Sequence, residues 1–297
     1  MTLNELIGQN AIKNQVEMQV KYCKATHTVF PHTLLIASAG QGKTTFANAI
    51  AGMLVDKCIQ AYGPTIQTEN DLNKLFVDEN GTMIPNGSVL FIDEIHAIPA
   101  KVAENLYTIM ENFKLIKDGK AYAFPKFTLI AGTTEPQMMS KPLRDRFVNT
   151  FVFEPYNDKD VAAYVERDGR VWMNTLLYPA FGKLCKYTPR IMNSMLEKMK
   201  MFVYNKDHVF FDTQDWPEFL QSIGLTTDGL TAMEDKYMVI LKGRGKASLS
   251  TMANLMGVKP NMVSCIIEPS LLSAGLIELA VGGRKLTDLG TEMYRNR

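Results

Sequence analysis

The sequence predicts an α/β fold in three parts: a parallel-sheet phosphate-loop domain, a helical domain behind it, and a C-terminal winged-helix domain. Three observations carry this. The apolar run Leu34-Leu35-Ile36 leads directly into Ala37-Ser38-Ala39-Gly40-Gln41-Gly42-Lys43-Thr44. A second run, Val89-Leu90-Phe91-Ile92, ends in two carboxylates, Asp93 and Glu94. Continuous apolar runs of this length read as strands buried on both faces, as in a parallel sheet. From residue 231 onward the order helix, short helix, helix, hairpin is that of a winged helix.

The elements follow in order. Residues 10–25 read as a helix that Asn10 can cap, with Ile12, Val16 and Val20 on one face. Residues 33–37 are the first strand and 44–54 the helix after the loop. In 102–113, Val102, Leu106, Ile109, Met110 and Phe113 share a helical face. Lys117-Asp118-Gly119-Lys120 is the turn of a hairpin over 114–124. Residues 127–131 form another buried strand, running into Gly132-Thr133-Thr134. Residues 156–224 lose the strand pattern and read helical, and the loop-like stretch 224–229 marks a boundary. The expected domains are 1–155, 156–227 and 228–297. In the last, helices are expected over 232–242, 248–256 and 261–273, and a hairpin over 276–286.

The loop over 37–44 has the chemistry of phosphate binding. Gly40 and Gly42 let successive backbone N–H groups curl around phosphate oxygens, and a helix N-terminus, with Thr45 in its first turn, adds partial positive charge. Lys43 reaches the β/γ-phosphates, and the Thr44 hydroxyl binds Mg²⁺. Asp93 and Glu94 sit at the carboxyl end of their strand, where open α/β sheets bind ligands. Asp93 would hold Mg²⁺ through water, and Glu94 would orient and polarise the attacking water. Thr134, at the end of the next strand, can touch the γ-phosphate or that water. Pro142-Leu143-Arg144-Asp145-Arg146-Phe147 carries arginines far enough from their own phosphate loop to enter a neighbour's site, where a guanidinium stabilises charge on a transferring phosphoryl group. Thr188-Pro189-Arg190 begins an amphipathic helix with Ile191, Met195 and Met199. Proline suits a helix start, so Arg190 would lie where a helical lid closes on phosphates.

Composition bounds the rest. The 297 residues carry a net charge of +1, so the whole-molecule charge implies neither a nucleic-acid nor a membrane partner. Residues 231–297 hold nine Lys/Arg and six Asp/Glu, a local excess of three positive charges. Cys23, Cys58, Cys185 and Cys265 are scattered, as expected of core thiols in a reducing compartment. The four histidines lack metal-ligand spacing, the polar Met1-Thr2-Leu3-Asn4-Glu5 start does not read as a signal peptide, and no apolar stretch approaches a membrane span.

Taken together, the phosphate loop, V-L-F-I-D-E-I-H, F-T-L-I-A-G-T-T, P-L-R-D-R-F, E-P-Y, T-P-R-I-M-N and the winged helix resemble, in order, the RuvB family. Those proteins are AAA+ motors of Holliday-junction branch migration. Leu6-Ile7-Gly8-Gln9 also resembles the family's opening motif, and the likeness covers nearly the whole chain. It implies a cytoplasmic hexameric ring, fuelled by ATP with Mg²⁺, that pumps double-stranded or junction DNA in recombination and repair. Matched residue by residue, it makes Lys43 and Thr44 phosphate and Mg²⁺ ligands and Asp93 and Glu94 the acidic pair. Thr134 becomes the first sensor, Arg146 the arginine finger acting in trans, and Arg190 the second sensor. Ile7, Tyr156 and Pro189 would line an adenine pocket, and Arg284 with Lys285 would touch DNA phosphate. There are departures. Ala37 stands for the family's first glycine, Ser38-Ala39 for a proline pair, and the wing is poor in arginine. The hairpin at 114–124 is short where the family docks its junction-binding partner, RuvA, which argues against such a partner. The rival readings are an AAA+ initiator or helicase loader that uses ATP as a switch, and a clamp-loader-like remodeller of proteins. Arg146 within P-L-R-D-R-F favours the motor.

Overall fold

The computed structural model describes residues 2–55, 58–78, 80–117, 119–206 and 210–294. The chain packs as two compact units, Met1–Lys200 and Met201–Arg297. This division differs from the boundaries expected at 155 and 227. Part of the helical segment packs on the phosphate-loop side: Tyr156 Oη donates to Ile7 O at 3.2 Å, and Arg190 N to Gly40 O at 3.3 Å.

The first unit is built on five strands, β1 (Thr33–Ile36), β2 (Ile59–Tyr62), β3 (Ser88–Asp93), β6 (Phe127–Thr133) and β7 (Asn149–Val152), separated by the hairpin strands β4 (Lys114–Lys117) and β5 (Lys120–Ala123). The five form one all-parallel sheet in the order β2-β3-β6-β1-β7. Side chains alternate across a strand, so each apolar run feeds two cores. Leu34, Leu90, Ile92, Leu129 and Ala131 face helix α4 (Ala100–Asn112), through its Val102, Leu106, Ile109 and Met110, and Leu72 of α3 (Glu69–Lys74). Leu35, Val89, Phe91 and Ile130 face α1 (Asn10–Thr26) and α2 (Lys43–Leu54). That two-sided burial is why the runs lack polar alternation.

Helices α5 (Lys141–Arg144), α6 (Asp158–Asp168), α7 (Tyr178–Leu184) and α8 (Pro189–Asn205) follow, with a two-residue strand β8 (Trp172–Met173) that the helical reading missed. Asn10 does not cap α1: Gln9 takes that place with left-handed backbone, φ 53°, and its side chain makes no capping hydrogen bond. Asp118, in the expected hairpin turn, lies outside the described residues, but the hairpin is paired, Lys114 opposite Ala123 and Lys117 opposite Lys120.

The second unit holds β9 (Phe210–Phe211) and α9 (Trp216–Ser222), then the winged-helix order. This comprises α10 (Ala232–Arg244), α11 (Leu249–Met256), α12 (Pro260–Met262), α13 (Glu268–Ser273), the antiparallel pair β10 (Ile277–Ala280) and β11 (Gly283–Leu286), and a further helix α14 (Asp288–Met293) not foreseen. Tyr237, Met238, Leu241, Met252, Val263, Ile267 and Leu271 form its core. The helix expected over 261–273 is continuous in direction but passes through a π-helical stretch, Val263–Ile267. Pro269 explains it: proline offers no N–H to the carbonyl one turn back, and its ring crowds that carbonyl, so the turn widens.

Candidate nucleotide site

The site forms at the carboxyl ends of β1, β3 and β6. The phosphate loop leaves β1 at Ala37, whose N–H donates to Thr133 O at 3.2 Å. Ala37 has no left-handed backbone, so its Cβ costs nothing there; the two turns that need glycine are made by Gly40, φ 81°, and Gly42, φ 89°. Helix α2 starts at Lys43, and its first backbone bond runs from Phe46 N to Gly42 O. The N–H groups of Lys43, Thr44 and Thr45 therefore have no acceptor within the helix and face outward from its positive end.

Lys43 is only 6% exposed. Its ammonium donates to Ala37 O at 2.9 Å and lies 3.9 Å from Glu94 Oε1. Burial lowers its pKa, Glu94 and Asp93 oppose that, and nearby Arg190 lowers it further. Thr44 Oγ1 donates to Asp93 Oδ2 at 3.0 Å, and Asp93 Oδ1 accepts Glu94 N–H at 3.0 Å. Among the described residues no group of three or more His, Cys, Asp or Glu could hold a metal. One carboxylate and one hydroxyl suit Mg²⁺, which keeps most of its waters and shares substrate phosphates.

Two glycines that sequence reasoning passed over make this arrangement possible. Gly132 lies beside Asp93, and a Cβ there would come within 2.7 Å of Asp93 Oδ1. A Cβ on Gly63 would meet Glu94 O at 2.2 Å. A glycine inside an otherwise apolar strand was the legible signal for Gly132; Gly63 had none.

Glu94 adopts left-handed backbone, φ 49° and ψ 50°. Its Oε2 accepts from both Thr134 N, at 3.1 Å, and Thr134 Oγ1, at 2.9 Å. Thr134 thus holds the carboxylate expected to act on water. His96, unassigned by the sequence, also reaches Glu94 Oε2, at 3.3 Å.

The start of α8 sits directly on the loop: a Cβ at Gly40 would lie 2.9 Å from Arg190 Cβ and 3.1 Å from Thr188 Cγ2. Gln41 Nε2 donates to Tyr187 O at 3.4 Å. Ile7, Tyr156 and Pro189 are gathered as well, since Tyr164 Oη donates to Pro189 O at 3.4 Å and its ring lies 6.4 Å from that of Tyr156. Burial pushes the Tyr156 phenol up to about 12.

The remaining expected residues lie elsewhere. Arg146 is held by its own chain: Nη2 donates to Glu111 Oε2 at 2.7 Å and the guanidinium lies 5.9 Å over the Tyr107 ring. In the second unit Arg284 forks onto Glu268, Nε to Oε1 at 2.7 Å and Nη2 to Oε2 at 3.1 Å. Tyr237 Oη donates to the same Oε1 at 2.8 Å, and Glu268 is 2% exposed. This geometry counts against Arg284 as a phosphate contact, because its Nε and Nη2 are turned onto a buried carboxylate. Lys285 pairs across the wing with Glu278 at 2.6 Å, both about half exposed, a contact easily exchanged for another anion.

The description "Holliday junction DNA helicase RuvB P-loop domain" matches residues 1–152, and "RuvB C-terminal winged helix domain" matches 227–295. This chain belongs to the RuvB family. It is 32% identical over 305 residues to the Holliday junction branch migration complex subunit RuvB of Pediococcus pentosaceus, covering 98% of this chain and 89% of that one. It is 33% identical to the RuvB subunit of Campylobacter lari, covering 94% and 85%. Its fold matches the Thermotoga maritima RuvB Holliday junction branch migration motor with a TM-score of 0.75 at 26% identity, covering 98% of this chain and 96% of that one. Among the described residues no helix is long and apolar enough to cross a membrane.

Proposed function

We propose that this chain is an ATP-driven motor that moves duplex DNA in Holliday-junction branch migration. The observation that carries it is one constellation: buried Lys43 in a phosphate loop, 3.9 Å from a carboxylate, Glu94, that Thr134 holds in place. The chain matches the RuvB P-loop domain and then the RuvB winged-helix domain, and it is 32% identical to a relative described as a branch migration complex subunit. Residues 1–155 bind nucleotide, 156–227 supply the lid, and 228–297 meet DNA.

ATP phosphates bind along Gly40, Gly42 and the N–H groups of Lys43, Thr44 and Thr45. Ile7, Tyr156 and Pro189 surround the base. Thr44 and Asp93 would hold Mg²⁺, which supplies charge neutralisation on the phosphates when bound. Glu94 accepts a proton from the attacking water and orients it. Arg190 closes over the phosphates from α8. Arg146 serves the site of an adjacent subunit in a ring, because its contacts on its own chain, Glu111 and Tyr107, lie outside the nucleotide site. The hairpin β4–β5 exposes Ile116 on one face and Tyr122 on the other, 70% and 51% exposed, and is the element on which a RuvA-like partner would dock despite its shortness.

The test is ATP hydrolysis with and without a synthetic four-way junction, with oligomer mass measured alongside. Junction-stimulated turnover by a ring is expected; turnover indifferent to DNA would reject the motor. The burial of Arg284 against Glu268 favours one second reading, a loader whose winged helix contacts protein, and that reading predicts the same DNA-indifferent ATPase.

A further inference from the structure

The histidine of V-L-F-I-D-E-I-H has a specific environment beside the acidic pair. His96 lies in the short 3₁₀ turn Ile95–Ala97 that follows Glu94, and its side chain is 11% exposed. Its Nδ1 lies 3.3 Å from Glu94 Oε2 and 3.0 Å from Thr133 Oγ1. Thr133 Oγ1 in turn accepts Glu135 N–H at 3.1 Å. A carboxylate only accepts hydrogen bonds, so the tautomer with hydrogen on Nδ1 suits this position: it donates to Thr133 Oγ1 and keeps its N–H edge beside Glu94 Oε2.

These contacts fall on one oxygen of Glu94. Oε2 takes two donors from Thr134 and faces His96, whereas Oε1 faces Lys43. The terminal torsion of a glutamate is broad and nearly two-fold, so an untethered carboxylate would present either oxygen at many angles. Thr134 holds Oε2 with two hydrogen bonds from the end of β6, and His96, anchored on Thr133 Oγ1, packs its Nδ1 edge 3.3 Å from the same oxygen from the turn after β3. Two rigid elements therefore clamp one oxygen and leave the other directed at the phosphate loop.

We infer that His96 is a positioning residue, which clamps Glu94 Oε2 so that Oε1 alone is presented towards Lys43 and the water that attacks ATP. The inference rests on the ATPase reading above. It implies that His96 acts on turnover and not on nucleotide affinity, since none of its contacts is a loop N–H, Lys43 or Thr44. Misplacing a reacting group by about 1 Å can cost on the order of a hundredfold in rate.

The experiment is steady-state ATP hydrolysis by the full chain with Mg²⁺, together with affinity for a fluorescent ADP analogue and the thermal midpoint. The variants are His96→Ala and His96→Asn, whose amide N–H can take the place of Nδ1–H. His96→Ala should lower kcat about ten- to a hundredfold, with KM, analogue affinity and thermal midpoint unchanged. His96→Asn should recover most of the rate. An active parent matched by His96→Ala overturns this inference alone. So does a loss shared equally by analogue affinity or thermal midpoint and not rescued by asparagine, which would make His96 merely structural. A parent inactive towards ATP overturns the ATPase reading and this inference with it.

Discussion

Asp93 and Glu94 are adjacent, yet the fold gives them separate work. Asp93 ends a strand with its oxygens bound by Thr44 and by the next backbone N–H; Glu94 has already turned into left-handed backbone and points at Lys43. Lys43→Ala should therefore lose ATP binding, because it removes the charge that holds the phosphates. Glu94→Gln should still bind ATP and stop hydrolysing it, because an amide cannot take a proton from water. Equilibrium binding beside single-turnover hydrolysis separates the two, and parent-rate hydrolysis by Glu94→Gln would reject the assignment. Arg284 makes the opposite case, a cation kept for packing. Burial first, and Glu268 next, push the Tyr237 phenol up, and the hydrogen bonds to Glu268 raise Arg284. Arg284→Ala leaves a buried carboxylate with only the Tyr237 hydroxyl and no counter-charge, and should destabilise the second unit by about 3 kcal/mol in urea unfolding. Arg284→Met with Glu268→Leu should cost less than Arg284→Ala alone, because no charge is stranded.

Within the sheet, His32 ties elements together just before β1. Its Nδ1 accepts Leu129 N–H at 2.9 Å, its Nε2 lies 3.3 Å from Met110 O, and its ring packs 5.2 Å from Phe127. That pattern requires the neutral ring with hydrogen on Nε2. Burial lowers its pKa below the ordinary value, against the smaller pull of Met110 O. In the unfolded chain His32 titrates near 6.5, as free histidine does. As pH falls below about 6.5 the unfolded state takes up a proton that the folded state refuses, so stability falls until the folded pKa is passed. The urea midpoint of the parent should drop more steeply between about pH 6.5 and 5.5 than that of His32→Gln, which keeps polar partners without the titration. Equal slopes would place the acid sensitivity elsewhere.

At the scale of the whole molecule, the expected ring puts one chain's Arg146 into the site of the next. Arg146 now rests on Glu111 and over Tyr107, with its Nε buried and without a hydrogen-bond partner, an arrangement that an incoming phosphate would improve. Arg146→Ala should keep nucleotide affinity and lose turnover. Mixing Arg146→Ala with Lys43→Ala chains should restore some activity, because mixed rings contain interfaces that pair an intact loop with an intact arginine. No recovery in mixed rings verified by mass would mean that Arg146 acts within its own chain. DNA binding should be weak, salt-sensitive and indifferent to sequence, because the helix over 261–273 offers Asn261 and Ser264 but no cation. Lys285→Ala should flatten the salt dependence by roughly one phosphate contact on unrelated duplexes alike; an unchanged slope would remove the wing from the DNA contact.

The sequence by itself determined the parallel sheet, the phosphate loop, the acidic pair and the order of the winged helix. These depend on local patterns: apolar runs too continuous for a one-sided strand, glycines spaced for a turn, a proline at a helix start. It also brought Thr134, Arg190, Ile7, Tyr156 and Pro189 into consideration, through the motifs they stand in. Only the tertiary structure decided what each polar group faces. Glu268, in the helix expected over 261–273, is 2% exposed although glutamate is ordinarily solvated, because the wing folds back and supplies Arg284 as its partner. The same holds for Gly63, needed only because Glu94 O passes where its side chain would stand, and for His96, whose partner Thr133 lies on another strand. Such contacts join residues far apart in the chain, and pairing across that distance leaves no periodic trace in either segment.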